Sequence, residues 1–307
     1  MKNILITSIG CAPASALARE LFNKENYYII GIDIQTECVG NFITNKYIQC
    51  PTITDNEYWN FIENLISKFD ITHIFPTYNS EIREWSIKKN YLFEKYNCKV
   101  FVNDISVVNI ADNKLETYKW CCENNIKVPL VKLIDYRPII IKPLFGCGSN
   151  GIQILKTTKE VVNLENFNDG KNTKNYIIQE FITGIEYTID ILADPLGNII
   201  NIVPKERMLV KHGQSFKSIT RNNLVIIEFA TNVSKLIGNK SSINIQVIQD
   251  NKGEIYLIEI NPRFPTTLSL TIAAGVNIPV MMLEEDYVTK TFIDNLIMIR
   301  DYKEYFM

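Results

Sequence analysis

The chain has 307 residues, of which 46% are hydrophobic and 21% are charged, a balance that is typical of globular domains and excludes disorder as an overall description. The formal net charge of −2 gives no basic excess that would indicate nucleic acid or an anionic membrane surface as a partner.

The two histidines and seven scattered cysteines, with no CxxC pair, argue against a zinc site or a disulfide framework and favour a reducing, cytoplasmic setting. The length predicts two domains. The first residues begin a strand at once, and no apolar run approaches the roughly 18 residues that a membrane span needs, so we expect neither a signal peptide nor a membrane partner.

The first hundred residues alternate short apolar runs with amphipathic stretches. Strands are predicted at 3–8, 28–34, 71–76 and 99–102, and helices at 14–22 and 58–69. Strands that alternate with helices indicate parallel βαβ units, and therefore an α/β fold with a doubly wound parallel sheet.

The pattern changes after about residue 106. One longer helix is predicted over 106–125, and seven β-branched runs follow it, several of them joined by tight turns such as that at 250–253. Strands joined in this way are antiparallel hairpins, so the second part is predicted to be α+β. We place the boundary between the domains near residue 110, and we interpret the polar stretch 163–174 as a surface loop.

A lysine and a glycine-rich loop form the first candidate site. A predicted strand ends at Lys142, and Gly146, Gly148, Ser149 and Gly151 follow it. Glycines allow backbone N–H groups to close on a phosphate, and the lysine supplies positive charge beside it. A Walker A loop has the opposite order, with its lysine after the glycines and a helix next. An ordinary glycine hairpin remains the alternative.

The second candidate is a hinge after a strand. The strand ends at Gln179 and Glu180, the apolar Phe181 and Ile182 come next, and a turn glycine precedes Glu186. Main-chain groups in such a hinge can hydrogen-bond an adenine edge while apolar side chains cover its faces. A plain strand and turn is the alternative.

The third candidate is the hairpin over 243–263. Because side chains at i and i+2 share a face, Glu259 and Asn261 are predicted to point the same way, and Ile258 and Ile260 to face apolar packing on the other side. The tight turn is expected to bring Gln246 beside Glu259 on the neighbouring strand.

The donors of this hairpin are all oxygens. One carboxylate and two side-chain amides suit Mg²⁺, which prefers oxygen ligands and shares its shell with water and phosphate. Arg263, two residues beyond Asn261, can act as a planar donor to a terminal phosphate. A strand whose polar face meets water is the alternative reading.

Other polar stretches can be interpreted either as part of a binding site or as ordinary solvent-exposed segments. Asp112 is predicted to cap the helix that follows it, and Lys114 either reaches a phosphate or lies on the surface. Lys205–Arg207 and Gly213–Ser215 are placed between strands, where they line a substrate pocket or form a solvated loop.

Taken in order, five segments resemble the ATP-grasp superfamily, especially the branch of the carbamoyl phosphate synthetase large subunit. They are 112–114, 139–151, 179–191, 243–246 and 258–263. The spacing from Gln246 to Arg263 is the most specific part, and the resemblance covers about residues 110 to 275. Position 246 is glutamine, where many members of the superfamily carry an acidic residue, so the protein supplies less charge to a metal there.

The resemblance implies a domain layout. It implies a pre-ATP-grasp, Rossmann-like domain at 1–110 and an ATP-grasp domain at 111–307. The second would comprise a flexible-loop subdomain at about 111–180 and a metal-site subdomain at about 181–307.

The resemblance also implies a role for each matched residue. The ATP-binding set is Lys114, Lys142, Gly146, Gly148, Ser149, Gly151, Glu180, Phe181, Ile182 and Glu186. One or two Mg²⁺ ions, with Mn²⁺ as a substitute, would be held by Gln246, Glu259 and Asn261. The implied catalytic residues are Arg263, Lys142 and Arg207, the last with Ser215 near the acceptor.

The implied activity is that of a carboxylate–amine ligase. ATP would phosphorylate a small-molecule carboxylate to an acyl phosphate, and an amine would attack it to form a C–N bond with release of ADP and phosphate. No nucleic acid partner is expected, and a homodimer is the habit of the family. Three alternatives stay open: a kinase that stops at a phosphorylated product, a non-catalytic nucleotide-binding subunit, and an oxidoreductase built on Asp33, which lacks the glycine fingerprint of such sites.

Overall fold

A computed structural model describes residues 1–22, 24–131, 138–146, 151–156 and 175–307. The elements up to residue 100 are β1 (Lys2–Ile6), α1 (Ala12–Leu21), β2 (Tyr27–Asp33), α2 (Gly40–Ile43), β3 (Lys46–Gln49), α3 (Tyr58–Phe69), β4 (His73–Phe75), α4 (Asn79–Tyr96) and β5 (Lys99–Val100).

These five strands form one parallel sheet in the order β3-β2-β1-β4-β5. The buried side chains of β1 alternate between two apolar clusters. Ile4 and Ile6 pack with Leu17 of α1, and Leu5 packs with Ile62 of α3 on the opposite face. Because helices cover both faces, as parallel sheets require, the prediction of a doubly wound parallel sheet is confirmed.

The single helix predicted over 106–125 is wrong, because the structure has two. Helix α5 (Ile105–Asp112) and helix α6 (Lys114–Glu123) meet at Asn113, whose backbone is extended. The Asn113 side chain accepts hydrogen bonds from the backbone N–H groups of Leu115 at 2.9 Å and Glu116 at 3.4 Å. Asn113, rather than the predicted Asp112, therefore caps the second helix.

The described residues beyond α6 form mainly strands. They are β6 (Ile139–Pro143), β7 (Gln153–Leu155), β8 (Tyr176–Glu180), β9 (Gly184–Ala193), β10 (Ile199–Lys211), β11 (Gln214–Thr220), α7 (Leu224–Ile237), β12 (Ser242–Asp250), β13 (Ile255–Asn261), α8 (Leu268–Ala273), α9 (Ile278–Leu283) and β14 (Ile297–Ile299).

These strands form two sheets in which all pairings are antiparallel. One has the order β7-β6-β8, and the other has the order β13-β12-β9-β10-β11-β14. Helix α7 packs Ile226 and Val233 into the same apolar cluster as Ile189 and Ile245 of the larger sheet. The predicted change from a parallel sheet to antiparallel hairpins is confirmed. The loop predicted at 163–174 lies outside the described residues.

The placement of Lys205–Arg207 between strands is wrong, because β10 continues to Lys211. Pro204 lies inside this strand, although proline has no N–H to donate in strand pairing. The carbonyl of Pro204 accepts a hydrogen bond from Arg221 just beyond β11, so the missing N–H of the proline falls at the end of that ladder. Of the stretch 213–215, only Gly213 belongs to a turn, and the next two residues begin β11.

Candidate active site

Strands β12 and β13 form the predicted hairpin, and their register places the polar side chains side by side. Gln246 lies directly across from Glu259, and Asn244 lies across from Asn261. Directly opposed residues have Cβ atoms about 5 Å apart. All four side chains line one cavity, so they face the same side of the sheet, as their alternation predicts.

Ile258 does not face the apolar side, so this prediction is wrong. The register shifts between Gln246 and Val247, which are paired with Glu259 and Leu257, and this leaves Ile258 as an extra residue on β13. A bulge of this kind re-aims one side chain. Ile258 lines a cavity together with Glu259, whereas Ile260 is buried as predicted.

The guanidinium of Arg207 connects this hairpin to β9 and β11. Its Nη1 donates to Oε1 of Glu186 at 2.6 Å and to Oε1 of Gln246 at 2.9 Å. Its Nε donates to Oγ of Ser215 at 3.0 Å, and its Nη2 donates to the carbonyl of Gly213 at 2.8 Å. The side chain is only 5% exposed, so its orientation is fixed and Glu186 balances its charge.

Lys142 is the penultimate residue of β6, and its side chain is buried. Its burial lowers the pKa to about 8, the nearby Glu259 and Glu186 carboxylates oppose this shift, and Lys114 adds to it. Within the described part of the chain, no carboxylate lies within 4 Å of its ammonium. Lys114 donates to the carbonyl of Gly146 at 2.9 Å. A buried ammonium without a paired anion is suited to phosphate oxygens.

The glycine loop is described only at its two ends. Gly146 has φ of +109° and Gly151 has φ of +73°, a conformation that side-chain-bearing residues rarely adopt. Gly148 and Ser149, which the sequence places in the same loop, lie outside the described residues. The phosphate-closing role of the loop stays a prediction.

The hinge after β8 exposes backbone groups to a cavity. The backbone N–H of Glu180 donates to the Leu130 carbonyl at 3.0 Å, and the Glu180 carboxylate accepts from the Leu130 N–H, also at 3.0 Å. The carboxylate therefore holds the segment before β6. Phe181 and Ile182 line the cavity. The N–H of Ile182 has no acceptor among the described residues, which leaves it available to a ligand.

Gly184 ends this hinge at a very close approach between two strands. A Cβ added there would lie 2.1 Å from the carbonyl oxygen of Gln249, so no other residue fits without moving β12. The glycine thus holds the hinge against the strand that carries Gln246.

Two cavities meet at this cluster. The small cavity, of about 280 Å³, lies beside the three-stranded sheet and is lined by Lys114, Lys142, the hinge and Glu186. The large cavity, of about 1100 Å³, lies between α1 and the six-stranded sheet. Arg207, Gln246 and Glu259 line both cavities, so they stand at the junction between them.

Arg263 joins this junction to the parallel sheet. Its Nε donates to Oδ1 of Asn79 at the start of α4, its Nη1 to the carbonyl of Phe264 at 2.8 Å, and its Nη2 to Oδ1 of Asn261 at 3.4 Å. The Asn79 amide also donates to Asn261 Oδ1, at 3.4 Å. Sequence reasoning missed Asn79. Its signal was its position just past a parallel strand, where open α/β sheets bind ligands.

A buried ion pair, also missed, lies beneath the hairpin. Lys205 and Asp190 are both 0% exposed, and the Lys205 ammonium donates to the Asp190 carboxylate at 2.5 Å. Thr271 and Asn244 donate to the same carboxylate. Burial lowers the pKa of Lys205, and the attraction of Asp190 opposes the shift.

The side chains at the junction offer oxygen atoms, which are the ligands that a hard cation such as Mg²⁺ prefers. Glu259 offers a carboxylate, and Gln246 and Asn261 offer amide oxygens that here accept from arginines. No group of three or more His, Cys, Asp or Glu side chains among the described residues could hold a metal alone. A Mg²⁺ ion at these oxygens would therefore depend on phosphate oxygens to complete its shell.

Comparison with known proteins gives a family match for part of the chain. A family model described as "ATP-grasp in the biosynthetic pathway with Ter operon" matches residues 172–292. The carbamoyl phosphate synthase large chain of Clostridium botulinum (strain Loch Maree / Type A3) is 31% identical over 140 residues, and that of Thermoanaerobacter pseudethanolicus is 26% identical over 155. Residues 172–292 therefore match the ATP-grasp family.

The two alignments with the synthases cover 43% and 48% of this chain, but only 13% and 14% of the synthase chains. The chain thus spans about one seventh of the length of these relatives. The ATP-grasp family consists of ATP-dependent ligases.

Solved structures share the fold over nearly the whole chain. The biotin carboxylase domain of Hydrogenobacter thermophilus 2-oxoglutarate carboxylase, in complex with MgADP, ADP and bicarbonate, gives a TM-score of 0.72 at 16% identity and covers 96% of this chain and 73% of that one. The Staphylococcus aureus N5-carboxyaminoimidazole synthetase complexed with ADP gives 0.70 at 17%, covering 97% and 80%. The Bacillus licheniformis L-amino acid ligase gives 0.69 at 16%, covering 95% and 75%. At these identities the likeness supports the fold, and the domain boundaries at 110 and 180 stay predictions.

Across the described ranges, no helix combines the length and the apolar character that crossing a bilayer requires.

Proposed function

We propose that this protein uses ATP to phosphorylate a small-molecule carboxylate and joins the resulting acyl phosphate to an amine, releasing ADP and phosphate. The observation that carries the proposal is the junction between the two cavities. Arg207, Gln246 and Glu259 line both, so a phosphoryl group bound there can reach a nucleotide on one side and an acceptor on the other.

The small cavity is assigned to the nucleotide. The backbone of the hinge at Glu180–Ile182 faces the adenine edge, and the buried Lys142 faces the phosphates with Lys114 behind it. Gln246, Glu259 and Asn261 would hold Mg²⁺, which when bound neutralises charge on the phosphate oxygens.

The protein itself contributes little covalent chemistry to the phosphoryl transfer. A carboxylate oxygen of the acceptor attacks the terminal phosphorus, the bond to ADP breaks, and the side chains hold the reactants in line. Arg263, fixed by Asn79 and the Phe264 carbonyl, presents a cation to the moving phosphoryl group. The amine then displaces phosphate from the acyl carbon.

The names of the structural neighbours agree with this chemistry. Two were solved with ADP, one of these also with bicarbonate, and a third is an L-amino acid ligase. They share only the fold with this chain, so the acceptor and the amine have to be found by experiment.

A substrate panel tests the proposal. Small carboxylates and amino acids are incubated with Mg-ATP, with and without amines, and ADP, phosphate and product mass are recorded together. The ligase proposal requires free phosphate and a coupled product that depend on the amine. A stable phosphorylated product that forms without any amine would assign the protein as a kinase instead, and no turnover with any substrate would support a non-catalytic nucleotide-binding subunit.

The buried Lys142 gives ATP binding a predicted pH dependence. Its pKa in the free protein is about 8, so about one tenth of the molecules carry the ammonium at pH 9. Because only the charged form attracts phosphates, we expect ATP affinity to fall about tenfold from well below pH 8 to pH 9. Isothermal titration calorimetry of the wild type and of Lys142→Met checks this. A Lys142→Met variant that keeps the same pH profile would contradict the role of Lys142.

Asn79 is predicted to position Arg263. Replacing Asn79 by alanine removes the acceptor of Arg263 Nε. We expect kcat to fall about 10- to 150-fold, since loss of a hydrogen bond to a charged group costs about 1.5–3 kcal/mol, with little change in the KM for ATP. Steady-state kinetics measure both constants. Asn90→Ala, at an exposed position of the same helix, is the matched control; an equal loss in both variants would contradict the positioning role.

A further inference from the structure

The large cavity carries more positive charge than phosphoryl transfer requires. Besides Arg207 and Arg263 at the junction, its walls present Arg19 from α1 and Arg300 from the segment after β14. Within the described residues, neither Arg19 nor Arg300 has a carboxylate within 4 Å, whereas Arg207 is paired with Glu186.

The two arginines are close enough to repel each other. Burial lowers the pKa of Arg300, and the positive charge of Arg19 lowers it further. Arg300 is held in place by neutral acceptors, the Thr266 carbonyl and Oε1 of Gln214 at 3.3 Å. Arg19 donates only to the Tyr305 hydroxyl, at 3.5 Å, in the part of the chain that the structure describes. A like-charged pair with unused donors is stabilised when an anion bridges it.

The carboxylates on the walls of the large cavity do not bridge Arg19 and Arg300. Glu20 is bound by Lys24 at 2.6 Å and by the amide of Asn277 at 2.7 Å. Asp301 accepts from the backbone N–H of Tyr302 at 2.8 Å and makes no ion pair with the described residues. Glu259 belongs to the junction.

The arginine pair is connected to the junction by a short chain of contacts. Arg300 donates to Gln214, and the next residue, Ser215, accepts from Arg207. Arg19, Arg300, Gln214, Ser215 and Arg207 all line the large cavity, so the arginine pair and the junction border the same space.

We propose that the acceptor carries a second anionic group, distant from the carboxylate that is phosphorylated, and that Arg19 and Arg300 bind this group. The inference rests on the proposed function, whose acceptor occupies the large cavity. The second group is a carboxylate or a phosphate, since both accept the forked donors of arginine.

Matched pairs of acceptors test this. The carboxylate arm compares L-glutamate with L-glutamine, L-aspartate with L-asparagine, and succinate with succinamate. The phosphate arm compares O-phospho-L-serine with L-serine. Two readouts are used: hydroxamate formation with Mg-ATP and hydroxylamine, which traps an acyl phosphate, and thermal protection in the presence of Mg²⁺ and a non-hydrolysable ATP analogue, which needs no turnover.

We expect the doubly acidic member of at least one pair to be preferred about tenfold or more, because its uncharged partner forfeits a charge-assisted contact. Arg19→Gln and Arg300→Gln should each reduce that preference about tenfold, and Arg300→Lys should restore part of it. Lys68→Gln is the control. It removes an exposed cation that lies over the Phe69 ring at 5.5 Å and lines neither cavity, so the preference should persist.

The outcomes separate this inference from the proposed function. Equal use of acidic and amide members, equal protection by them, or a preference that survives both arginine substitutions would overturn the second anion site and leave the ligase proposal standing. Protection by the doubly acidic member that Arg19→Gln and Arg300→Gln abolish, without hydroxamate from any acceptor, would keep the anion site and remove the proposed reaction.

Discussion

Glu259→Gln is expected to lower acceptor-dependent ADP release about 10²- to 10³-fold, the range found when a preorganised charge-stabilising group is removed from an active site. The substitution keeps the volume of the side chain and removes its charge at the junction of the two cavities. Glu259 also favours the charged form of the buried Lys142, so its loss weakens both the metal site and the phosphate site. Steady-state ADP release at saturating Mg-ATP measures the effect, and circular dichroism verifies the fold.

Glu254→Gln is the matched control, because Glu254 precedes the same strand but pairs with Lys127 on the surface, where it is 53% exposed. Its rate should stay close to that of the wild type. A Glu259→Gln variant with a near-normal rate would show that this carboxylate does not hold the metal, and the assignment of Gln246, Glu259 and Asn261 would fail together.

Asp190→Asn is expected to lower the free energy of unfolding by about 3–5 kcal/mol, the usual cost of leaving one charge of a buried pair uncompensated. Lys205 is fully buried, and its ammonium would keep only neutral acceptors among the described residues, namely the new amide oxygen, Thr271 and the Thr267 carbonyl. Urea denaturation followed by circular dichroism measures the loss.

Two further variants test whether the loss of stability in Asp190→Asn comes from the uncompensated charge of Lys205. An Asp190→Leu/Lys205→Met double variant removes both charges and should recover most of the stability, because well-packed apolar residues often replace a buried ion pair without cost. Glu254→Gln breaks a surface pair and should cost less than about 1 kcal/mol. An Asp190→Asn loss no larger than that of Glu254→Gln would show that the Lys205 charge is satisfied in another way.

The β12–β13 hairpin could be predicted from sequence because its determinants are local. The alternation of polar and apolar residues sets the face of each side chain, and the turn at 250–253 sets the register of the residues nearest to it, as far as Val247 opposite Leu257. Continued without a bulge, this register would place Gln246 opposite Ile258, so the pairing of Gln246 with Glu259 depends on the bulge.

The remaining features of the site depend on contacts between distant residues. Arg207 meets Glu186 across a strand pair and Gln246 across two, and Asn79 reaches Arg263 from 184 positions away. Hydrophobic periodicity carries no information about such contacts. The bulge at Ile258 interrupts an alternation that otherwise continues through the strand.

The break between α5 and α6 at Asn113 is a different case. A local feature of the sequence indicated it, but the apolar spacing on both sides of Asn113 favoured a single helix. Asparagine is a strong helix-capping residue, yet apolar spacing continues through α5 and α6 and suggested one helix. Periodicity alone does not distinguish one long helix from two that pack on the same core.

Part of the wall of the large cavity comes from stretches that carry none of the junction residues. These are residues near 10–20 and 298–305, whereas the groups proposed to handle the phosphoryl group lie on β10, β12 and β13. A directed-evolution library restricted to those two stretches would vary which molecule is accepted while sparing the machinery that consumes ATP. The protein is in this respect a modular scaffold, in which new substrate scope can be sought without rebuilding the catalyst.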